Sequence, residues 1–259
     1  MWLYDMTQYQ HNDAEQDVNK DNIFADPEKS ITDFRFDATV AAAFDDMVSR
    51  SVPYYSEIQR MVVELATDFS EPGSCIYDLG CSTATTLTLL DRTVHQDIGF
   101  VGVDNSSDML AKARTKLDKF APNRRVELVC QDMHEGVQVE NASVVILLLT
   151  LQFVRPLYRE RIIRRIAEGM RHNGALILVE KLVVSDSRLN RMYIEHYYDY
   201  KRSKGYSDVE ITKKREALEN VLVPYRYDEN RDLLLSSGFG TVEEFFRWYN
   251  FSAVIAIRN

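Results

Sequence analysis

One stretch constrains the fold more than any other: Ser74-Cys75-Ile76-Tyr77-Asp78-Leu79-Gly80-Cys81-Ser82, an apolar run that meets an acid and then breaks into glycine and small polar residues. It reads as a buried strand running into a tight turn that opens a helix, and such a turn brings backbone N–H groups close to a nucleotide-like ligand. A second apolar run, Gly99-Phe100-Val101-Gly102-Val103, ends in Asp104-Asn105. That is about 20 residues further on, where doubly wound folds keep the acid that holds a ribose. The two strand ends are expected to form one site.

The alternation continues along the chain. Thr85 to Thr93 and Ser107 to Phe120 carry leucines at helical spacing. Arg125 to Asp132 is a third strand ending in an acid, and Ala142 to Thr150 a fourth, apolar on both faces as a central parallel strand should be. Pro156 to Met170 reads as a helix with basic residues outward, and Gly174 to Glu180 as a fifth strand. Before the first strand, Asp37 to Met47 is helix-forming, residues 50–55 form a proline-bearing link, and Ser56 looks like the N-cap of a further helix. Residues 187–223 are helical and rich in tyrosine and interrupt the strand series, an insertion suited to capping the carboxyl ends of the sheet. Asp228 to Ser237 is a surface helix, and Thr241 to Tyr249 with Phe251 to Arg258 reads as an antiparallel hairpin at the sheet edge. The expected fold is therefore α/β, doubly wound and Rossmann-like, mostly parallel, with an antiparallel edge hairpin and a helical cap. Residues 1–33 are read as a tail, either disordered or a lid, and 34–259 as a single domain.

No apolar run approaches the roughly 20 residues of a membrane span, and the opening Met1-Trp2-Leu3-Tyr4-Asp5-Met6 has no secretory pattern. A cytoplasmic protein is expected. The formal charge of −9 has the wrong sign for holding nucleic acid through its phosphates. Cys75, Cys81 and Cys130 have no metal-ligand partners at a recognisable spacing, so neither a metal site nor a disulfide framework is expected.

A fold that binds S-adenosylmethionine uses the first strand's turn for the amino-acid end, the acid after the second strand for the ribose, and the acid after the third near the adenine. Asp78 and Gly80, Asp104, and Asp132-Met133 stand in those places in that order. A dinucleotide turn wants G-x-G-x-x-G so that a pyrophosphate can approach. Here Gly80 is alone, with Ser82 and Ala84 where further glycines would be.

Beyond the cofactor turn, the chain resembles the carboxy-S-adenosylmethionine synthases. The resemblance runs from about Phe34 to Arg258 through Arg50-Ser51-Val52-Pro53-Tyr54-Tyr55-Ser56, Ile76 to Ser82, Val103-Asp104-Asn105-Ser106, Thr150-Leu151-Gln152-Phe153, Glu180-Lys181, Lys201-Arg202, Gly205-Tyr206-Ser207, Lys214-Arg215, Leu218-Glu219-Asn220-Val221 and Tyr249-Asn250-Phe251. It implies cofactor contacts at Tyr55, Gly80, Cys81, Ser82, Asp104, Asn105, Asp132, Met133 and Arg215, with Arg215 reading the carboxylate that distinguishes the modified cofactor. Tyr55 and Arg215 are thereby the candidate catalytic residues. It also implies a homodimer and a reaction in which S-adenosylmethionine and prephenate give carboxy-S-adenosylmethionine, phenylpyruvate and water, the product serving wobble-uridine modification in tRNA. In that mechanism prephenate loses carbon dioxide, which a deprotonated sulfonium methyl captures in a closed site. A planar guanidinium suits a carboxylate, and a dry pocket prevents simple reprotonation. Tyr55, Tyr197, Tyr198 and Tyr206 are candidates for cation–π contact with the sulfonium.

Two positions depart from the family pattern: Leu148 replaces an asparagine that would contact the ligand, and Ala84 replaces a glycine. They keep open a methyltransferase acting on a small metabolite, or a protein that binds the cofactor without catalysis. His95, His134 and His172 read as surface groups, and His196 as the one candidate general base. The run Arg155, Arg159, Arg161, Arg164 and Arg165 reads as a solvated helix face.

Overall fold

The computed structural model describes residues 20–28 and 30–259. Seven strands form one sheet in the order β3-β2-β1-β4-β5-β7-β6. β1 (Cys75–Leu79), β2 (Gly99–Asp104), β3 (Val126–Cys130), β4 (Ala142–Leu148) and β5 (Met170–Lys181) run parallel, and β7 (Phe251–Arg258) pairs antiparallel with both β5 and β6 (Phe239–Trp248). Side chains alternate across each strand, so the central strands feed two cores. Ile76, Phe100, Ile146 and Ile177 face α2 (Tyr55–Phe69), α3 (Thr85–Leu90) and α4 (Ser107–Phe120). Leu79, Val103, Val145 and Leu178 face α5 (Pro156–Gly169) and α8 (Tyr227–Ser236).

The insertion consists of α6 (Ser187–Ser203) and α7 (Asp208–Leu218). Asp186 caps α6 by accepting from Leu189 N, and Ser207 with Glu210 forms a reciprocal capping box on α7. Tyr197 and Tyr200 of α6 donate to the carbonyls of Ser51 and Val52 at 3.0 and 3.3 Å, which ties the cap to the end of α1 (Ala38–Ser51).

Several expectations are corrected. Ser56 is not an N-cap: α2 begins at Tyr55, and the capping position is Tyr54 at φ 55° with no side-chain cap. Arg159 is not on a solvated face but 1% exposed, donating to the carbonyls of Val154 and Val223 at 2.9 and 2.6 Å, with its guanidinium 4.1 Å from the Tyr225 ring centre. Helical periodicity alone did not reveal that the loops above this helix need a donor. Residues 1–19 of the segment read as a tail lie outside the described residues; from Lys20 to Asp33 most described residues are exposed, but Asp21 is buried and Ile23 and Phe24 are partly buried. Asp21 is 2% exposed, its N–H donates to Asp46 at 2.7 Å, and its carboxylate accepts from Tyr206 at 2.5 Å and pairs with Lys214 at 3.6 Å. Ile23 and Phe24 join a small core with Phe34, Val40 and Met109.

Candidate active site

A cavity of about 740 Å³ opens at the carboxyl ends of β1, β2 and β4, beneath α1, α2, α6 and α7. Its floor is the turn after β1, where Gly80 stands at φ +82° and a side-chain carbon would lie 2.3 Å from Thr150 Oγ1, so only glycine fits. Ser82 at φ 49°, Ala84 at φ 60° and Leu149 at φ 58° are also left-handed. Backbone strain of this kind, about 1–3 kcal/mol per residue, gathers at functional sites. Ala84 takes by strain the conformation that a glycine would take freely.

Four amides of the turn donate inside the protein. Gly80 N and Cys81 N donate to Val103 O at 2.7 and 3.0 Å, Ser82 N donates to Asp104 Oδ2 at 3.0 Å, and Ala84 N donates to Cys81 O at 2.7 Å. Among the described residues these four N–H groups are already donors within the protein, which favours a ligand without a pyrophosphate over a dinucleotide. The turn is latched from outside by Lys116, which donates to Asp45, Thr83 and Thr85 at 2.7, 3.0 and 2.9 Å and so couples α4 to α1.

The acids differ in state. Asp78 is buried, and among the described residues it pairs with no cation. Burial first, and Asp104 second, push its carboxyl up to about 7. Asp104 is also raised by burial, although its oxygens accept from Ser82 and Ser106 at 3.0 and 2.9 Å. Asp132 is pushed up by burial, but bonds from His134 N and Nδ1 at 2.8 and 2.7 Å outweigh this and hold it below its ordinary value. His134, expected at the surface, lines the cavity and accepts from Arg155 N at 3.1 Å. Burial, with Asp78 and Asp104 nearby, pushes the Cys81 thiol far up, so it is no nucleophile at neutral pH.

The methyltransferase-domain family matches residues 76–174. Carboxy-S-adenosyl-L-methionine synthase of Methylococcus capsulatus is 50% identical over 242 residues, covering 93% of this chain and 100% of that protein. The chain belongs to the carboxy-S-adenosyl-L-methionine synthase family. The enzyme of that name from Desulfotalea psychrophila is 43% identical over 240 residues, covering 92% of this chain and 97% of its own. Among solved structures, magnesium protoporphyrin IX methyltransferase of Synechocystis PCC 6803 with bound SAH aligns at TM-score 0.54 and 18% identity, covering 78% of this chain and 82% of that one. The S-adenosylmethionine-dependent methyltransferase SibL aligns at 0.56 and 14%, covering 84% and 57%. These likenesses carry the fold: a class I methyltransferase sheet with its antiparallel edge.

Every site residue named from the sequence lines this cavity: Tyr55, Asp78, Gly80, Cys81, Ser82, Asp104, Asn105, Asp132, Met133, Leu148 and Arg215. They differ in depth. Tyr55 accepts from Gln59 at 2.9 Å, and burial raises its hydroxyl above the ordinary range. Arg215 stands at the rim, its side chain 57% exposed and 3.6 Å from Glu216, with Tyr198 beside it. Tyr197 and Tyr198 line the cavity, whereas the Tyr206 hydroxyl is committed to Asp21 and Ser51. His196 is exposed and stacks on Tyr249, 4.8 Å between centres, and is not among the residues lining the cavity. The sequence did not bring together three lysines that line the cavity, Lys181, Lys201 and Lys214. They lay inside quoted motifs, but nothing in their spacing showed that helix and strand bring them together.

Proposed function

We propose that this chain is a carboxy-S-adenosyl-L-methionine synthase that uses prephenate as its second substrate and works as a homodimer supplying tRNA wobble-uridine modification. The observation that carries the cofactor reading is Asp78, a buried carboxylate at the foot of a cavity that pairs with no cation among the described residues. It is a fitting partner for the ammonium of S-adenosylmethionine. Asp104, pre-positioned by two amides, has acceptor capacity left for ribose hydroxyls. When bound, the cofactor supplies a sulfonium methyl group whose carbon is the site of carboxylation.

The residues of this chain bind, orient and exclude water. α6 and α7 close over the cavity, the Tyr197 and Tyr198 rings offer apolar walls, and the guanidinium of Arg215 at the rim would meet a carboxylate added to the cofactor. Prolonged incubation with S-adenosylmethionine and prephenate, followed by mass spectrometry, tests the reading. The expected products are a cofactor heavier by one carbon dioxide and an equivalent of phenylpyruvate. Unmodified cofactor with methyl transfer to some other acceptor would favour the methyltransferase alternative.

A further inference from the structure

We propose that Lys181, Lys201 and Lys214 together form a carboxylate-binding subsite, built to hold a dianionic organic acid as the second substrate on the cap side of the cavity. The inference rests on the reading above that the reaction needs a carboxylate donor, and it assigns that donor a place. The three lysines come from the end of β5, from α6 and from α7, so only the folded cap assembles them. Lys201 and Lys214 are 5% and 7% exposed, and Lys181 keeps part of its surface open to the cavity that all three line.

Their counter-charge is incomplete. Lys214 is answered by Asp21 at 3.6 Å and by Ser51 Oγ at 3.1 Å. Lys181 and Lys201 each stand 4.8 Å from the centre of the same Tyr197 ring, and among the described residues neither has a carboxylate within ion-pair distance. Two buried ammonium groups short of partners are costly to fold and are kept where a ligand supplies the missing charge. Burial and mutual repulsion accordingly lower Lys201 well below its ordinary range, and burial lowers Lys181 to about 8.

The cofactor's single α-carboxylate cannot answer both. S-adenosylmethionine carries a net positive charge, and Asp78 and Asp104, which suit it, stand at β1 and β2. β5 lies two strands from β1 in the sheet, roughly 10 Å away at ordinary strand spacing. The cavity thus separates an acidic end for a cation from a basic end for an anion. Two unanswered charges call for a ligand with two carboxylates. Arg215, exposed at the rim, is left for the modified cofactor.

The test titrates prephenate into protein saturated with S-adenosylhomocysteine, which lacks the reactive methyl group, and reads KM separately in turnover with S-adenosylmethionine, for the wild type, Lys181→Met, Lys201→Met and the double variant. Each single change should weaken prephenate binding at least tenfold and raise its KM, with cofactor affinity within twofold of wild type. The ligand-free melting temperature should rise in both single variants, because an unpaired buried charge has been removed. Unchanged prephenate affinity in both, or equal loss of prephenate and cofactor, overturns the subsite. If wild-type protein ignores prephenate but binds another aromatic dicarboxylate in a lysine-dependent manner, the substrate named above falls and the subsite stands. If it binds no such dianion, the subsite itself falls.

Discussion

Asp78 is the residue whose surroundings most directly foretell a measurement. Its carboxyl, raised to about 7 by burial and then by Asp104, is half protonated at neutral pH, and an arriving ammonium group favours the ionised form. Binding of S-adenosylmethionine should therefore release a proton near pH 7, and affinity should fall by up to about tenfold per pH unit below it. Calorimetry in buffers of different ionisation enthalpy checks this, and a pH-independent affinity from 5.5 to 8 would remove Asp78 from the cofactor's amino group. Lys181 makes the opposite kind of statement. Its folded value of about 8 lies below the ordinary 10.5, so between those values the unfolded chain binds more protons and stability rises with pH. The penalty is full below about 8 and gone near 10.5. Lys181→Met should thus exceed wild type by on the order of 3 kcal/mol at pH 7, with a gap that narrows as the pH rises. Denaturant unfolding at pH 7 and 9.5 reads the difference, and a constant gap would mean that Lys181 carries no buried charge.

At the scale of elements, the cap depends on how its helices begin. Ser207 Oγ accepts from Glu210 N at 3.3 Å, and Glu210 Oε2 accepts from Ser207 N at 2.8 Å. Ser207→Ala should cost about 1 kcal/mol and lower the melting temperature by about 2–4 °C. Hydrogen exchange should accelerate first in α7, which carries Lys214 and Arg215; uniform acceleration across the sheet would mean that α7 does not open independently. The elements themselves were largely legible, because their signals are local. α4 is bounded by Ser106 and Phe120 as its spacing indicates, and the apolar run of β4 marks a central strand. Tyr54 and Arg159 were not legible for the same reason. The first enters its helix in a left-handed conformation with no sequence signature, and the second answers carbonyls 64 residues away at Val223. The acids at the strand tips could be read from order alone, whereas the lysine cluster exists only through the packing of α6 and α7 on β5.

Across the whole molecule, the cavity is closed by contacts between distant parts of the chain. Asp21 meets Tyr206 across 185 residues, and the same carboxylate faces Lys214. Asp21→Ala should cost on the order of 3 kcal/mol, since it leaves a buried ammonium and a hydroxyl unanswered. Protease sensitivity should then appear both around residue 26 and in the cap; a change confined to one of them would show that the two are not held together by this contact. The sheet carries a further consequence, for the order in which the protein can be made. β6 precedes β7 in the chain, yet it reaches the sheet only through β7, which occupies the place beside β5. While β7 is still inside the ribosome, β5 has one unpaired edge, and the newly emerged β6 has nothing in the sheet to join. An edge of that kind is a template for pairing with other chains. Until β7 emerges the nascent protein therefore carries an unpaired sheet edge, and shielding by a chaperone would matter there.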